Sequence, residues 1–363
     1  MFGNNYYGKK VLITGHTGFK GSWLAVWLQT LGAEVVGVAL PSDTDPAHFS
    51  LLKLDMQSHI GDIRHYEKLE QVIRNTQPEI IFHLAAQPLV RDSYENPLYT
   101  LETNVIGTAN VLNACRDLKS LKAVVVVTTD KCYENKEWVW GYREIDPMGG
   151  YDPYSASKGC AELVTASFRN SYFNLERFGK THSTLIASAR AGNVIGGGDW
   201  AKDRLVPDIV RATANYETVM LRNPQSTRPW QHVLESLSGY LTLGAKLLEG
   251  DARFAEGWNF APTQEGDAKV LDVVAKMHSY WPALKYEVHN SATHPHEAHL
   301  LKLDCSKANA ILRWNNVWDF AKTIEATTNW YRGFYEDGKL ATENDIANYT
   351  KDAQALFIPW AVR

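Results

Sequence analysis

Short apolar runs rich in β-branched residues recur through the first half of the chain, separated by stretches whose apolar positions follow a helical spacing. Val11–Thr14 is the first such run, and Gly15–Gly21 follows it directly. Ser22–Leu31 then reads as a helix closed by Gly32, and Glu34–Leu40 as the next strand. Ile80–Ala86, Ala123–Thr129 and Leu185–Ala191 are further buried-strand candidates, with helical patterns over Tyr66–Thr76 and Pro97–Leu118 between them. Strands apolar on both faces, alternating with helices, predict an α/β fold: a Rossmann-type doubly wound parallel sheet covered on both sides.

The rhythm breaks after Gly192. Gly196–Gly198 and a series of prolines punctuate the remainder, where Asp208–Tyr216, Leu234–Leu248 and Leu271–Tyr280 read as helices. The expected division is a dinucleotide-binding Rossmann domain over 1–192 and a smaller C-terminal substrate lobe over 193–363, with some chain crossing back to the sheet.

Composition narrows the function. The chain has 363 residues, 45% hydrophobic and 21% charged, with a formal net charge of −4 and no basic block or acidic tail. Neither a nucleic acid nor a membrane is an expected partner. Cys115, Cys132, Cys160 and Cys305 form no CxxC pair, so neither a metal nor a disulfide framework is implied, which fits a reducing cytoplasm. Cys132 is expected to be a buried, small apolar residue. Residues 1–10 lack the apolar core of a signal peptide, and the longest apolar runs are too short to span a bilayer. The histidines His294, His296 and His299 stand in a proline-broken segment without a zinc-site pattern, so no metal is expected.

Gly15, Gly18 and Gly21 lie between a strand and a helix. The first permits a tight turn, the second a close approach of a pyrophosphate, and the third close packing of helix on strand. Helix-terminal amides then face the phosphates. The second strand ends at Ala39 or Leu40 where an NAD site usually has an acid; the next acid is Asp43, and no arginine stands nearby to favour NADP. NAD is the expected cofactor.

Tyr154 and Lys158 are four residues apart on a helix that opens with Asp152 as N-cap and Pro153 as its first residue. A lysine cation, with a nicotinamide's positive charge, is expected to lower the phenol pKa and make a base of it. Thr128, Thr129, Asp130 and Lys131 end the strand Ala123–Thr129, at the edge of the sheet where doubly wound folds bind ligands.

Together these motifs resemble the extended short-chain dehydrogenase/reductase family, and within it the sugar-nucleotide 4,6-dehydratases. Gly15–Trp23, Thr129–Lys131, Ala191–Trp200, Arg228–Val233 and His294–His299 carry the likeness, which runs from about residue 8 to about residue 330. Two departures stand out: Lys20 fills a commonly apolar slot, and Lys131 replaces the glutamate of a Thr-Asp-Glu triplet.

The resemblance implies a hydro-lyase acting on a nucleoside-diphosphate hexose, CDP-glucose preferred, in deoxysugar biosynthesis. Tyr154, Lys158, Thr129, Asp130 and Lys131 are the implied catalytic residues. Asp130 protonates the leaving 6-hydroxyl, and Lys131 is either the C5 base or an enolate stabiliser. Cofactor contacts are implied for Gly15, Thr17, Gly18, Phe19, Lys20, Gly21, Asp62, Ile63, Leu84, Ala85, Ala86, Asn104 and Thr128, besides Tyr154 and Lys158. Substrate contacts are implied for Gln87, Asn193, Arg204, Leu205, Arg228, Asn259 and His296. The helices over 97–118 and 152–173 are implied to pair with a second subunit in a homodimer, with a tetramer as the larger alternative. An epimerase or reductase of the same family is the nearest rival; it would not need Asp130 with an ionisable neighbour.

Overall fold

A computed structural model describes residues 1–221, 224–262, 267–288 and 300–362. Seven parallel strands form the central sheet: β1 (Lys10–Thr14), β2 (Glu34–Ala39), β3 (Gln57–Ile60), β4 (Ile80–His83), β5 (Ala123–Thr129), β6 (Leu185–Ala191) and β7 (Gly257–Phe260), in the spatial order β7-β6-β5-β4-β1-β2-β3. The order reverses between β1 and β4, so their carboxyl ends diverge into the crevice where such sheets bind ligands. β7 returns to the sheet from beyond residue 250, in parallel register with β6.

Both faces of the sheet are covered. On one lie α1 (Phe19–Thr30), α6 (Val233–Leu248), α8 (Phe320–Asp337) and α9 (Thr342–Ala355). On the other lie α2 (Tyr66–Thr76), α3 (Gly107–Ala114) and α4 (Pro153–Ser171). α1 is buried from Gly21 through Leu28 because it is sandwiched between the sheet and the C-terminal helices. Its Trp27 packs edge-on to Tyr349 and Trp360 at 5.8 and 5.7 Å. Aromatic pairs of this kind add about 0.5–1.5 kcal/mol each beyond their burial.

α4 begins as its sequence dictates. Asp152 accepts the Ser155 amide at 2.9 Å and Pro153 occupies the first turn. The expected helix over 97–118 is broken into Pro97–Leu101, a π-helical turn at Glu102–Ile106, and α3.

The second lobe contains α5 (Leu205–Ala214), α7 (Val270–Tyr280) and three two-stranded pairings, such as Thr227–Pro229 with Asp267–Lys269. Among the described residues no helix is long and apolar enough to cross a membrane.

Candidate active site

The glycine turn is held shut by backbone. Gly15 has φ +81°, and a Cβ there would meet the Ala85 amide nitrogen at 2.7 Å. A Cβ on Gly21 would lie 2.1 Å from the Gly15 carbonyl oxygen. Gly18 is the N-cap of α1, and its side-chain position meets only the Gly15 oxygen, at 3.4 Å. The first-turn amides of Phe19, Lys20 and Gly21 have no partner within the helix. The cradle is therefore open at the point where a dinucleotide pyrophosphate would sit, and these residues fit that group. Thr17 ties the turn to the end of β2 by donating to the Leu40 carbonyl at 2.9 Å.

Leu84, Ala85 and Ala86 follow β4 at the same edge and are partly exposed. Beneath them His83 bridges Thr14 at 2.6 Å and Thr108 at 3.0 Å, and burial lowers its pKa to about 3. Lys20 leans toward α6, where its ammonium lies 3.4 Å from the Tyr240 hydroxyl. Burial first, then the charges of Arg204 and Lys158, bring its pKa down to about 7.

The reactive groups stand across this crest. Thr129 ends β5 and donates to Asp130 Oδ1 at 2.8 Å; Asp130 is 2% exposed. Lys131, about a third exposed, holds its ammonium 3.9 Å from the same oxygen. Tyr154 and Lys158 rise from the first turns of α4, both buried. Burial lowers Lys158 to about 8, while the Glu162 carboxylate one turn further along pulls the other way. Burial also dominates at Tyr154, pushing the phenol up to about 12 against the lowering effects of the Thr129 hydroxyl and the Arg204 charge. Desolvation thus dominates at this phenol, and Arg204 is the cation that acts to lower it.

Several expected ligand contacts are committed elsewhere. Gln87 spends its side chain on Leu89 and Thr100, and Asn104 bonds the Gln87 backbone and Ser157. Both order the loop after β4 against α4. The Thr128 hydroxyl donates to buried Glu162. Ile63 is 3% exposed, and its side chain lies where a Cβ on Gly107 would intrude at 2.5 Å. Asp62 is gripped by Arg64 at 2.6 Å. Asn259 is the clearest correction: fully buried on β7, it accepts the Tyr133 hydroxyl at 2.8 Å and donates to the Tyr142 and Asp304 carbonyls. Its amide is saturated, so it is a structural residue.

Arg204, at the N-cap of α5 just before Leu205, pairs with Asp199 at 2.9 Å and stands near Tyr154. Asn193 and Arg228 are partly exposed, and the Arg228 guanidinium donates to its neighbour's carbonyl at 3.0 Å. His296, with His294 and His299, lies outside the described residues. Sequence reading missed Glu162 and Arg190, which form a buried pair between α4 and β6. The signals were an acid four residues after Lys158 on the same helix face and a lone charge inside an apolar strand.

The chain resembles known proteins over most of its length. A family profile described as GDP-mannose 4,6 dehydratase matches residues 12–327. CDP-glucose 4,6-dehydratase of Salmonella typhimurium is 53% identical over 95% of this chain and 97% of its own length. Among solved structures, a double mutant of dTDP-glucose 4,6-dehydratase from Streptomyces venezuelae, with NAD bound, superimposes with a TM-score of 0.74 at 22% identity, covering 91% of this chain and 99% of that one. An epimerase from Methanothermobacter thermautotrophicus gives a TM-score of 0.78 at 22% identity over 92% of this chain and 95% of its own.

Proposed function

The chain belongs to the family described as GDP-mannose 4,6 dehydratase, and from that premise we propose that it converts CDP-glucose to CDP-4-keto-6-deoxyglucose with loss of water. The observation that carries this reading is the Thr129–Asp130–Lys131 triplet at the crest of β5. It sets a buried carboxylate beside the hydroxyl that faces Tyr154. An epimerase or reductase has no use for such an acid. CDP as the nucleotide is supported by the 53% identity to the Salmonella enzyme.

NAD, held by the glycine cradle and the residues after β4, supplies a hydride acceptor and donor when bound. The chain's own residues manage the protons. Tyr154 takes the proton of the sugar 4-hydroxyl. Thr129 hydrogen-bonds the 4-oxygen and keeps it oriented. Asp130 delivers a proton to the departing 6-hydroxyl. Lys131, 3.9 Å from the acid and partly exposed, either takes the C5 proton as a neutral amine or stabilises the enolate as a cation while another group takes that proton. Arg204 and Arg228 suit the substrate diphosphate, since a guanidinium binds two oxygens at once.

A cytoplasmic homodimer fits this reading. Leu98, Leu101, Ile106, Leu163 and Tyr172 leave apolar side chains exposed on the helical segments around α3 and α4.

The test is turnover of CDP-glucose with NAD+ in deuterated water, followed by mass spectrometry and NMR. A 4-keto-6-deoxy product carrying deuterium at C5 is expected. Unchanged CDP-glucose or a C4 epimer, with dTDP-, UDP- and GDP-sugars also unconverted, overturns the reading.

A further inference from the structure

Tyr331 lies on α8, beyond the residues 12–327 that the family profile matches, yet its phenol reaches the turn that leads to Arg204. The hydroxyl accepts the Asp199 amide at 2.9 Å and donates to the Asp199 carbonyl at 2.6 Å, so one side chain grips both polar groups of one residue's backbone. Tyr331 is fully buried, and Asp199 is 5% exposed.

The neighbouring residues are pinned as well. Trp330 fills the space over Gly197, where a Cβ would fall 1.9 Å from its ring. Trp23 donates to the Gly197 carbonyl at 2.8 Å. Trp200 packs edge-on to Tyr331 at 5.8 Å and donates to Tyr335 at 3.0 Å. What this fixed turn carries is the Asp199 carboxylate. One oxygen accepts the Ala201 amide at 3.0 Å and the other holds Arg204 Nη1 at 2.9 Å. The Arg204 guanidinium is the cation that acts on Tyr154, and Lys20 and Asp43 are the other charged groups facing it.

We propose that Tyr331 is a positioning residue for the nucleotide sugar: by clamping the Asp199 backbone it holds that carboxylate against Arg204 and so sets where the guanidinium meets the substrate's diphosphate. The inference rests on the reading of Arg204 as a substrate contact. A tyrosine that only packed α8 would need neither its hydroxyl nor this partner.

The test compares the full-length protein with Tyr331→Phe, Asp199→Asn, Arg204→Met and the Tyr331→Phe/Arg204→Met double variant, by steady-state kinetics with CDP-glucose and by NAD+ titration. Loss of hydrogen bonds that order a charged pair should raise the KM of Tyr331→Phe for CDP-glucose about tenfold, with kcat changed less than about twofold. NAD+ affinity should be unchanged. In the Arg204→Met background, removing the hydroxyl should add less than about twofold to KM, because the two residues act on one contact. Asp199→Asn leaves the backbone clamp intact and should raise KM similarly, which keeps the test open if Tyr331→Phe folds poorly. A wild-type KM in Asp199→Asn or in soluble Tyr331→Phe, or an effect of Tyr331→Phe that is equally large without Arg204, overturns the proposal. Failure of the wild-type protein to convert CDP-glucose is a separate result, visible before any variant is read, and strikes the parent reading instead.

Discussion

Glu162 and Arg190 form an ion pair 2.8 Å apart, closed off from solvent between β6 and the buried face of α4, the helix that carries Tyr154, Lys158 and Glu162 itself. Glu162 also accepts the hydroxyls of Thr128 and Ser188, and Arg190 donates to Tyr133 at 2.6 Å. Burial alone would raise the Glu162 carboxyl, but the Arg190 charge and these bonds outweigh it and hold it below the ordinary glutamate range. The pair thus joins β5, β6 and α4 through charges that are stable only together.

Breaking the pair on one side should be costly. Glu162→Gln or Arg190→Met leaves a buried charge without its counterion, at a cost of about 3–5 kcal/mol. Glu162→Leu combined with Arg190→Met should recover much of that loss, because no charge is then stranded. Equilibrium urea unfolding checks this; a double variant as unstable as the sum of the singles would contradict it. The pair's contribution is present above the unfolded glutamate pKa and is lost as pH falls through the lowered folded value.

Gly21→Ala tests the cradle. The added methyl would stand 2.1 Å from the Gly15 carbonyl oxygen, a backbone atom that cannot swing aside. Either α1 shifts away from β1 or the turn opens, and both misplace the amides that face the cofactor. NAD+ affinity should fall by at least about tenfold, on the order of 1.4 kcal/mol, read by fluorescence titration. Wild-type affinity in this variant would mean that the turn does not hold the cofactor.

Much of the site was legible because its signals are local. The expected spans of β5 and β6 and the helix Tyr66–Thr76 match the observed elements residue for residue. The Asp152–Pro153 start of α4 fixed Tyr154 and Lys158 on one face. β3 was not legible: Gln57–Ile60 is exposed throughout and shows no alternation, so only pairing with β2 makes it a strand. β7 contains Gly257 and Asn259, poor strand formers, and is decided by its register against β6. The contact that corrected the reading, Tyr133 with Asn259, and the one that goes beyond it, Tyr331 with Asp199, both join residues far apart in sequence. No spacing rule reaches across such distances.

Lys158 sits at a cost to stability. Burial lowers its pKa from 10.5 to about 8, so the folded state carries a desolvated ammonium at neutral pH. Between about 8 and 10.5 the unfolded chain binds more protons than the folded one, and stability attributable to this group rises with pH. Lys158→Met should therefore stabilise the fold by about 1–3 kcal/mol at pH 7 while abolishing turnover. The gain should fade as pH rises from 8 to above 10. Thermal midpoints of both proteins across that range check the sign; a gain that grows with pH would refute it.

Lys131 offers the sharpest mechanistic choice. Its ammonium lies 3.9 Å from Asp130 with the side chain about a third exposed, at the end of β5 where the reactive groups gather. If charge is what it provides, Lys131→Arg keeps the cation and should retain most of the elimination rate, while Lys131→Met should lose about 100- to 1000-fold. If Lys131 removes the C5 proton, arginine fails as completely as methionine, because a guanidinium does not deprotonate in a protein. Deuterium incorporation at C5 during turnover in heavy water separates the two. An active Lys131→Arg enzyme that still exchanges at C5 assigns the base to another group, whereas equal loss in both variants makes Lys131 the base and requires its amine to be neutral in the substrate complex.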